Sequence, residues 1–310
     1  MGIPNLNKLF LEKSKTNINK IHLNTLDNKK IVIDTSIYLY KFMGQDKFIE
    51  NFYLMISTFL YYNITPIFIF DGKPPAEKKE LLKQRKINKK DAENKYKLLE
   101  ENIKNDSISK DEILEIQSEM EKLKKQFIRI KDSDINLVKD LISYFGVQYI
   151  EAEGEADLLC AQMVISDQAW GCLSDDMDLF VFGCNRVLRY LSLMNHTIIY
   201  YDFDNVLKDL DIDLSEFRYI ITISGTDYNI EQNFNVRSIY NLFLKYKKIS
   251  KKCDFVDWID SKYTKNKEKL LETINLFTNL EHVDISNNVC FQKNTEKLIE
   301  FLKPYNFIFL

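Results

Sequence analysis

The chain contains few of the nitrogen and sulfur side chains that hold zinc. It has five cysteines and three histidines in 310 residues: Cys160, Cys172, Cys184, Cys253, Cys290, His22, His196 and His282. The cysteines form no C-x-x-C pair and no regular framework, which argues against structural zinc and for a reduced, intracellular protein. We expect the histidines to have structural or surface roles, and Cys160 to pack in the core.

The sequence also lacks long hydrophobic runs and several common catalytic motifs. Its most apolar run, from Phe52 to Phe70, is interrupted by Asn63, Thr65 and Pro66, so we expect no membrane span. The first ten residues, MGIPNLNKLF, do not resemble a signal peptide. The motifs G-x-x-x-x-G-K-[ST], G-x-G-x-x-G after a strand and G-x-S-x-G are absent, which leaves nucleotide-binding and serine-hydrolase interpretations unsupported.

What the chain does contain is enough hydrophobic material for one large globular unit. Hydrophobic residues make up 45% of it and aromatic residues 13%. The formal net charge of -3 is not typical of a nucleic-acid-binding protein. However, the charge is segregated, because Lys73 to Lys97 is strongly basic whereas Glu151 to Asp178 carries acids and no lysine or arginine.

Four short apolar runs, separated by helical stretches, each lead into acidic residues. This alternation predicts an α/β fold with a mostly parallel central sheet and helices on both faces. The runs and their acids are Lys30–Ile33 before Asp34, Ile67–Phe70 before Asp71, Val147–Ile150 before the acidic stretch 151–157, and Trp170–Leu173 before Asp175, Asp176 and Asp178. Ligands bind beyond the carboxyl ends of parallel strands, so we expect these acids to share one cleft.

The spacing of the acids indicates a metal site. Glu155 and Asp157 lie two residues apart, as do Asp176 and Asp178, and Asp227 follows Gly-Thr after an apolar stretch. Carboxylates gathered in one cleft repel each other unless a cation neutralises them, and hard oxygen ligands favour Mg²⁺ or Mn²⁺. Two such ions can promote phosphodiester hydrolysis without a histidine base. The alternative is that these acids are only surface charges and helix caps.

Two basic segments flank this acidic set. Residues Ala76 to Lys131 predict one or two long exposed helices, either a solvated helical hairpin or coiled coil, or a basic arm over the cleft. A second cluster, which includes Lys245, Lys247 and Lys248, follows the amphipathic stretch Ser238–Leu244.

The ordered set of motifs resembles the flap endonucleases and the wider XPG-type 5′ nucleases over about three-quarters of the chain. The matching segments are MGIPNLNKLF, IVIDTSIYLYKF, PIFIFDGKPPAEKKELLKQR, EAEGEADLLCAQMV, SDDMDLFVFG and ISGTDYN. The resemblance implies a PIN-like nuclease core, a helical arch through which a 5′ single strand passes, and a helix-turn-helix-type element that binds duplex DNA.

The resemblance also implies roles for individual residues. The metal ligands it implies are Asp34, Asp71, Glu155, Asp157, Asp176, Asp178 and Asp227. Tyr40 resembles the aromatic residue that stacks on a base near the scissile phosphate, and Lys78 and Arg85 resemble the basic pair that steers that phosphate. Gly2 resembles a processed N-terminus near the active site. Lys73 belongs to the matched DGKPP segment and is either a DNA contact or a solvated charge.

The sequence departs from the family pattern in three places. Asp157 replaces a glutamate, which keeps the carboxylate but shortens its reach. The stretch after Asp227 has no glycine in its turn, so we expect a helical duplex-binding element over 233–252 without the family's monovalent cation site. The chain ends without the sliding-clamp-binding motif and basic tail of cellular replication enzymes, so we do not expect clamp recruitment.

Together these features predict an intracellular, monomeric, Mg²⁺-dependent nuclease that cuts 5′ flaps near the junction and has some 5′ exonuclease activity. We expect residues 1–235 to form the nuclease core, interrupted by the arch at 76–131, and residues 233–310 to form a C-terminal helical region. Nicked ends, bubbles and four-way junctions remain alternative substrates. A catalytically inactive junction-binding protein remains an alternative function. We expect the protein in the nucleus, the cytoplasm or a viral replication compartment. We also expect Mn²⁺ to be able to replace Mg²⁺.

Overall fold

The structure is a computed structural model. It describes residues 3–103, 110–229, 234–249, 255–259, 263, 267–278, 291–305 and 307. Within these residues, no helix is both long enough and apolar enough to cross a membrane.

The centre of the molecule is a seven-stranded sheet in the order β1-β7-β6-β5-β2-β3-β4. The strands are β1 (Ile18–His22), β2 (Lys30–Asp34), β3 (Thr65–Phe70), β4 (Gln148–Glu151), β5 (Gly171–Leu173), β6 (Arg186–Ser192) and β7 (Thr197–Asp202). Strands β6, β5, β2, β3 and β4 are parallel, whereas β7 pairs antiparallel with both β6 and β1. The predicted mostly parallel sheet is therefore confirmed.

The helices of the described residues lie between and around these strands. They are α1 (Leu6–Lys13), α2 (Thr35–Met43), α3 (Phe48–Tyr61), α4 (Lys79–Ile103), α5 (Lys110–Lys124), α6 (Asp132–Tyr144), α7 (Ala156–Ile165), α8 (Asp178–Phe182), α9 (Phe203–Asp209), α10 (Leu214–Ser224), α11 (Val236–Ile249), α12 (Phe255–Trp258), α13 (Lys267–Thr278) and α14 (Thr295–Leu302). Short 3₁₀ turns lie at Lys15–Asn17, Leu23–Leu26, Ala76–Lys78 and Lys303–Tyr305.

Alternate residues of the central strands pack into two separate cores. In β2, Val32 belongs to the core that contains α1, α7 and α10, while Ile31 and Ile33 belong to the core that contains α2, α3 and α6. Successive side chains of a strand point to opposite faces. A strand covered on both faces therefore needs apolar residues at nearly every position, which is why β2 was recognisable as a continuous apolar run.

The basic segment after β3 forms two long helices, α4 and α5, that pack against each other. Most described positions of α4 are exposed, and Ala92 is its buried exception. Within this segment, Lys89 Nζ donates to the Ile128 carbonyl at 3.1 Å. The pair of helices is tied to the body where Lys124 pairs with Asp46 at 3.0 Å. The prediction of one or two long exposed helices is confirmed.

The C-terminal residues return to the body of the molecule. Helix α11 packs against α10, and α14 packs against α6 with Leu298 and Leu302 buried. Helix α11 accounts for the helical part of the predicted duplex-binding element. Residues 230–233 and 250–252, which contain the start of that element, most of its glycine-free turn and its last lysines, lie outside the described residues.

Candidate active site

The acidic residues meet at the carboxyl edge of four neighbouring parallel strands. Asp34 ends β2, Asp71 follows β3, the pair Glu155 and Asp157 lies after β4, and Asp176 and Asp178 follow β5. Asp227, in the turn after α10, reaches the same edge. Its carboxylate is close enough to Asp178 to raise the pKa of that residue by repulsion. The structure thus brings the seven predicted ligands to one region, as expected for the open edge of a parallel sheet.

Hydrogen bonds fix the carboxylates of the two central strands. Ser174 Oγ donates to Asp34 Oδ2 at 2.8 Å. The backbone N–H of Ala156, at the start of α7, donates to Asp71 Oδ1 at 2.8 Å, and Ser36 Oγ donates to Asp71 Oδ2. These donors hold both side chains in one orientation without neutralising their charge.

A close backbone approach joins the ends of β3 and β4 beneath this edge. The Gly72 N–H donates to the Gly154 carbonyl at 2.7 Å. A Cβ atom at Gly72 would lie 2.0 Å from the Ala152 carbonyl oxygen, whereas one at Gly154 would meet nothing within 4 Å. Only glycine fits at position 72, and this contact sets how close Asp71 comes to Glu155.

Burial and mutual repulsion raise the pKa values of three of the acids. The pKa of Asp34 is raised to about 7, first by burial and then by repulsion from Asp71. Burial is also the largest cause of the raised pKa of Asp157, which Lys78 opposes and Glu155 reinforces. The pKa of Asp178 is raised by burial and then by Asp176 and Asp227. The site concentrates negative charge that a cation would stabilise.

Two cations of the arch are paired with these acids. Lys78 Nζ lies 2.7 Å from Glu155 Oε1, and its side chain is only 8% exposed. Burial lowers the pKa of Lys78, but the nearby carboxylates of Asp157 and Glu155 more than offset this effect. The pKa is therefore raised above its ordinary value, and the ammonium stays charged. Arg85 lies 2.6 Å from Asp227 Oδ2 and remains partly exposed. The two predicted phosphate-steering residues therefore reach the acidic edge.

The chemical type of the donor atoms suits a hard divalent cation. All seven side chains offer carboxylate oxygens, and the buried Asp178 Oδ1 has no hydrogen-bond partner among the described residues. Across the same residues, no group of three or more acids, histidines or cysteines has the arrangement of a metal site. With Lys78 and Arg85 bound to Glu155 and Asp227, two of the seven carboxylates are directed to arch cations.

The other predicted DNA contacts are placed in different ways. Tyr40 is 42% exposed, and Lys89 Nζ lies 4.7 Å over its ring. Lys73 is exposed near the ends of β3 and β4. Gly2 lies outside the described residues.

The lysines of α11 have different surroundings. Lys245 and Lys248 are exposed. Lys247 turns back to the body of the protein, where its ammonium bonds to the Asp211 carbonyl and lies 3.2 Å from Glu216 Oε2. We therefore assign Lys247 a role in attaching α11 to α10, and keep Lys245 and Lys248 as predicted phosphate contacts.

Two residues at this edge were not predicted from the sequence. Tyr228 donates from its hydroxyl to Glu155 Oε2 at 2.6 Å, and its ring lies 4.4 Å below Lys78 Nζ. Its position directly after Asp227, inside the motif ISGTDYN, was the available signal. Ser174, which orients Asp34, precedes Asp175 and Asp176 but has no distinctive pattern of its own.

Family models and relatives agree on the kind of protein. The XPG N-terminal domain matches residues 1–92 and the XPG I-region matches residues 146–227, which together span more than half of the chain. Flap endonuclease 1 of Methanococcus aeolicus is 27% identical over 312 residues, covering 92% of this chain and 86% of its own. Flap endonuclease 1 of Chlamydomonas reinhardtii is 28% identical over 247 residues, but this chain spans only 59% of that protein.

A viral relative and two solved structures extend the comparison. A probable RAD2-like endonuclease of Invertebrate iridescent virus 6 is 29% identical, covering 74% of this chain and 67% of that protein. The catalytic core of Rad2 in complex with DNA substrate has a TM-score of 0.65 at 21% identity, covering 95% of this chain and 92% of that one. Flap endonuclease-1 from Methanococcus jannaschii has a TM-score of 0.61 at 24% identity, covering 93% and 90%. The fold is thus that of the Rad2 and flap endonuclease cores, and by the family models the chain belongs to the flap endonuclease and XPG family.

Proposed function

We propose that this protein is a Mg²⁺-dependent, structure-specific 5′ nuclease that hydrolyses DNA at 5′ flaps near the junction between single and double strands. The observation that carries the proposal is the meeting of seven carboxylates with two arch cations at one sheet edge. Family membership and the similarity to several flap endonucleases support the same activity.

The proposed metal ligands are Asp34, Asp71, Glu155, Asp157, Asp176, Asp178 and Asp227. Bound Mg²⁺ would supply activation of water and charge neutralisation at the phosphate. A bound cation would favour the ionised forms of Asp34, Asp157 and Asp178, whose ionisation is disfavoured by burial and by neighbouring acids when no cation is bound.

Lys78 and Arg85 can bind a phosphate in this reaction, because each is now paired with an acid that a phosphate could replace. A scissile phosphate at the edge would compete with Glu155 for Lys78 and with Asp227 for Arg85, so each cation can transfer from a carboxylate to a phosphate. Tyr40 offers an exposed ring for a base next to that phosphate. Beside it opens a cavity of about 460 Å³, lined by residues that include Asp71, Asn136 and Lys139.

Duplex binding would come from a separate surface. The exposed Lys245 and Lys248 of α11 would contact duplex phosphates, which bind without reading sequence. Specificity would then depend on junction shape and on a free 5′ end that can enter under the arch. We propose an intracellular location and a monomer, with Mn²⁺ as an alternative metal.

The test is cleavage of a 5′-labelled double-flap DNA by the wild type, Asp176→Ala and Asp175→Asn, in Mg²⁺ and in EDTA. Asp175 is the matched control, because it is the neighbouring acid and its carboxylate accepts the Tyr190 N–H and pairs with Lys41. We expect a flap-length product in Mg²⁺ from the wild type and Asp175→Asn only. Tight flap binding by the wild type without cleavage in Mg²⁺ or Mn²⁺ would instead indicate an inactive junction-binding protein.

A further inference from the structure

Tyr228 contacts both a proposed metal ligand and a proposed phosphate-steering residue. Its hydroxyl donates to Glu155 Oε2 at 2.6 Å, and its ring face lies 4.4 Å from Lys78 Nζ. Lys78 Nζ in turn lies 2.7 Å from Glu155 Oε1. The three side chains therefore form a closed set in which each one touches the other two.

Each contact of the set compensates a cost that burial imposes. Lys78 is 6% exposed, and a buried ammonium needs partners that replace water. The carboxylate of Glu155 supplies a charged hydrogen bond, and the π face of Tyr228 supplies a cation–π contact. The phenol also occupies the second oxygen of Glu155, which leaves the first for Lys78 and restricts the rotation of the carboxylate.

The position of Tyr228 is itself fixed from outside the sheet. Its ring packs edge-on against Phe277 of α13, with centroids 5.3 Å apart. The preceding turn is held by Asn229, whose Oδ1 accepts from the Thr226 N–H at 2.7 Å and whose Nδ2 donates to the Thr222 carbonyl at 2.7 Å. The ring therefore has little freedom to follow Lys78 or Glu155 if they move.

We propose that Tyr228 is a positioning residue that sets the orientation of the Glu155 carboxylate and holds the Lys78 ammonium at the acidic edge. This inference rests on the proposed nuclease function. It adds that helix α13, through Phe277 and Tyr228, supports the geometry of the first turn of the arch. The hydroxyl and the ring have separable tasks, the first toward Glu155 and the second toward Lys78.

The variants Tyr228→Phe and Tyr228→Leu separate these tasks. Tyr228→Phe keeps the ring and its packing, so losing the bond to a charged carboxylate should lower single-turnover cleavage about tenfold. Tyr228→Leu also loses the cation–π contact, and the loss should reach about a hundredfold. We expect flap affinity in EDTA to stay within about twofold of wild type in both, because neither task binds duplex phosphate.

Tyr240→Phe is the matched control. Tyr240 is a buried tyrosine on α11, outside the acidic edge. Its hydroxyl donates to the Leu210 carbonyl at 2.9 Å. The Tyr240→Phe variant should lose a hydrogen bond to a neutral carbonyl and some stability, yet cleave flaps at the wild-type rate. Equal cleavage rates in Tyr228→Phe and Tyr240→Phe would overturn the positioning role of the hydroxyl.

A double-variant cycle with Lys78→Met tests the ring. If Tyr228 acts through Lys78, Tyr228→Leu should slow cleavage far less in the Lys78→Met background than it does in the wild-type background. The residual loss should be about tenfold, the share of the Glu155 contact. Fully multiplicative losses would overturn the role toward Lys78.

Mn²⁺ binding without DNA gives a readout that does not depend on activity. The electron paramagnetic resonance signal of free Mn²⁺ should show severalfold weaker binding by Tyr228→Phe than by wild type and Tyr240→Phe, because Glu155 loses its fixed orientation. Unchanged Mn²⁺ affinity in Tyr228→Phe would overturn the inference. A wild type that binds Mn²⁺ but cuts no DNA would overturn the proposed function alone.

Discussion

At the scale of residues, the candidate site is an excess of negative charge held in place by neutral donors and two arch cations. Asp34 is the clearest example of this excess charge. It is buried at the end of β2, accepts one hydrogen bond from the Ser174 hydroxyl, and is repelled by Asp71. A carboxylate in these surroundings is a poor component of a stable core and a good ligand for a cation.

The charge on Asp34 should make the metal-free protein less stable as the pH rises. Its pKa is raised from an ordinary value of 3.8 to about 7 in the folded protein. The folded state therefore binds this proton more tightly than the unfolded state, and its contribution to stability is present below pH 3.8 and is lost as the pH rises through about 7.

Asp34→Asn should remove that loss. In EDTA, we expect its free energy of unfolding relative to wild type to improve between pH 5 and pH 8 by about 1–3 kcal/mol, measured by urea denaturation at each pH. Asp175→Asn, at a partly exposed neighbouring position, should show no comparable trend. If wild type and Asp34→Asn depend on pH in parallel, Asp34 is not the source. Asp34→Asn should still fail to cleave DNA.

At the scale of elements, the strands that carry acids could be predicted from the sequence and the outer strands could not. Strands β2 and β3 are covered on both faces, so their apolar runs are continuous, and each is followed directly by an aspartate. Strands β1 and β7 pair antiparallel at one edge, and their buried and exposed positions are mixed. Their pairing joins Ile18 to Tyr201, a contact that no local pattern contains.

The site shows the same limit. The acids have recognisable spacings and the arch cations lie in a recognisable family motif, but the partner of a side chain depends on which elements pack together. The role of Lys247 depends on Asp211 and Glu216, and that of Tyr228 on Glu155, 73 residues away along the chain. Both residues lie in motifs that are recognisable in the sequence, yet their contacts are tertiary.

The link between the ends of β3 and β4 gives an element-scale prediction. Gly72→Ala would force a Cβ to within 2.0 Å of a backbone carbonyl oxygen, so the two strand ends must separate. We expect a loss of at least about 2 kcal/mol in the free energy of unfolding, together with slower cleavage, because Asp71 and Glu155 move apart. Urea denaturation and the flap assay measure the two effects.

Gly154→Ala is the control from the opposite side of the same contact. Its added methyl group meets nothing within 4 Å, so we expect a stability change within about 0.5 kcal/mol. Similar destabilisation by both substitutions would mean that glycine is required at these positions for a reason other than the close approach of the backbones.

At the scale of the whole molecule, a net charge of -3 and DNA binding are compatible because the charges are separated in space. The acids collect at the sheet edge, and basic side chains lie on the arch and on α11. Phosphate contacts act over roughly a Debye length, about 10 Å at 0.1 M salt. Affinity therefore depends on the local basic surfaces more than on net charge, and each phosphate contact should contribute to the salt dependence of binding.

Lys248 and Lys247, neighbours on α11, should differ in that dependence. Lys248→Gln removes an exposed charge, so the slope of log affinity against log salt for a metal-free flap DNA should decrease by about 0.9, measured by fluorescence anisotropy. Lys247 is held by Asp211 and Glu216. Lys247→Gln should leave the slope unchanged and lower the free energy of unfolding by about 0.5–1.5 kcal/mol. An equal change of slope in both would show that Lys247 leaves its acids to contact DNA, and an unchanged slope in Lys248→Gln would remove α11 from the duplex-binding surface.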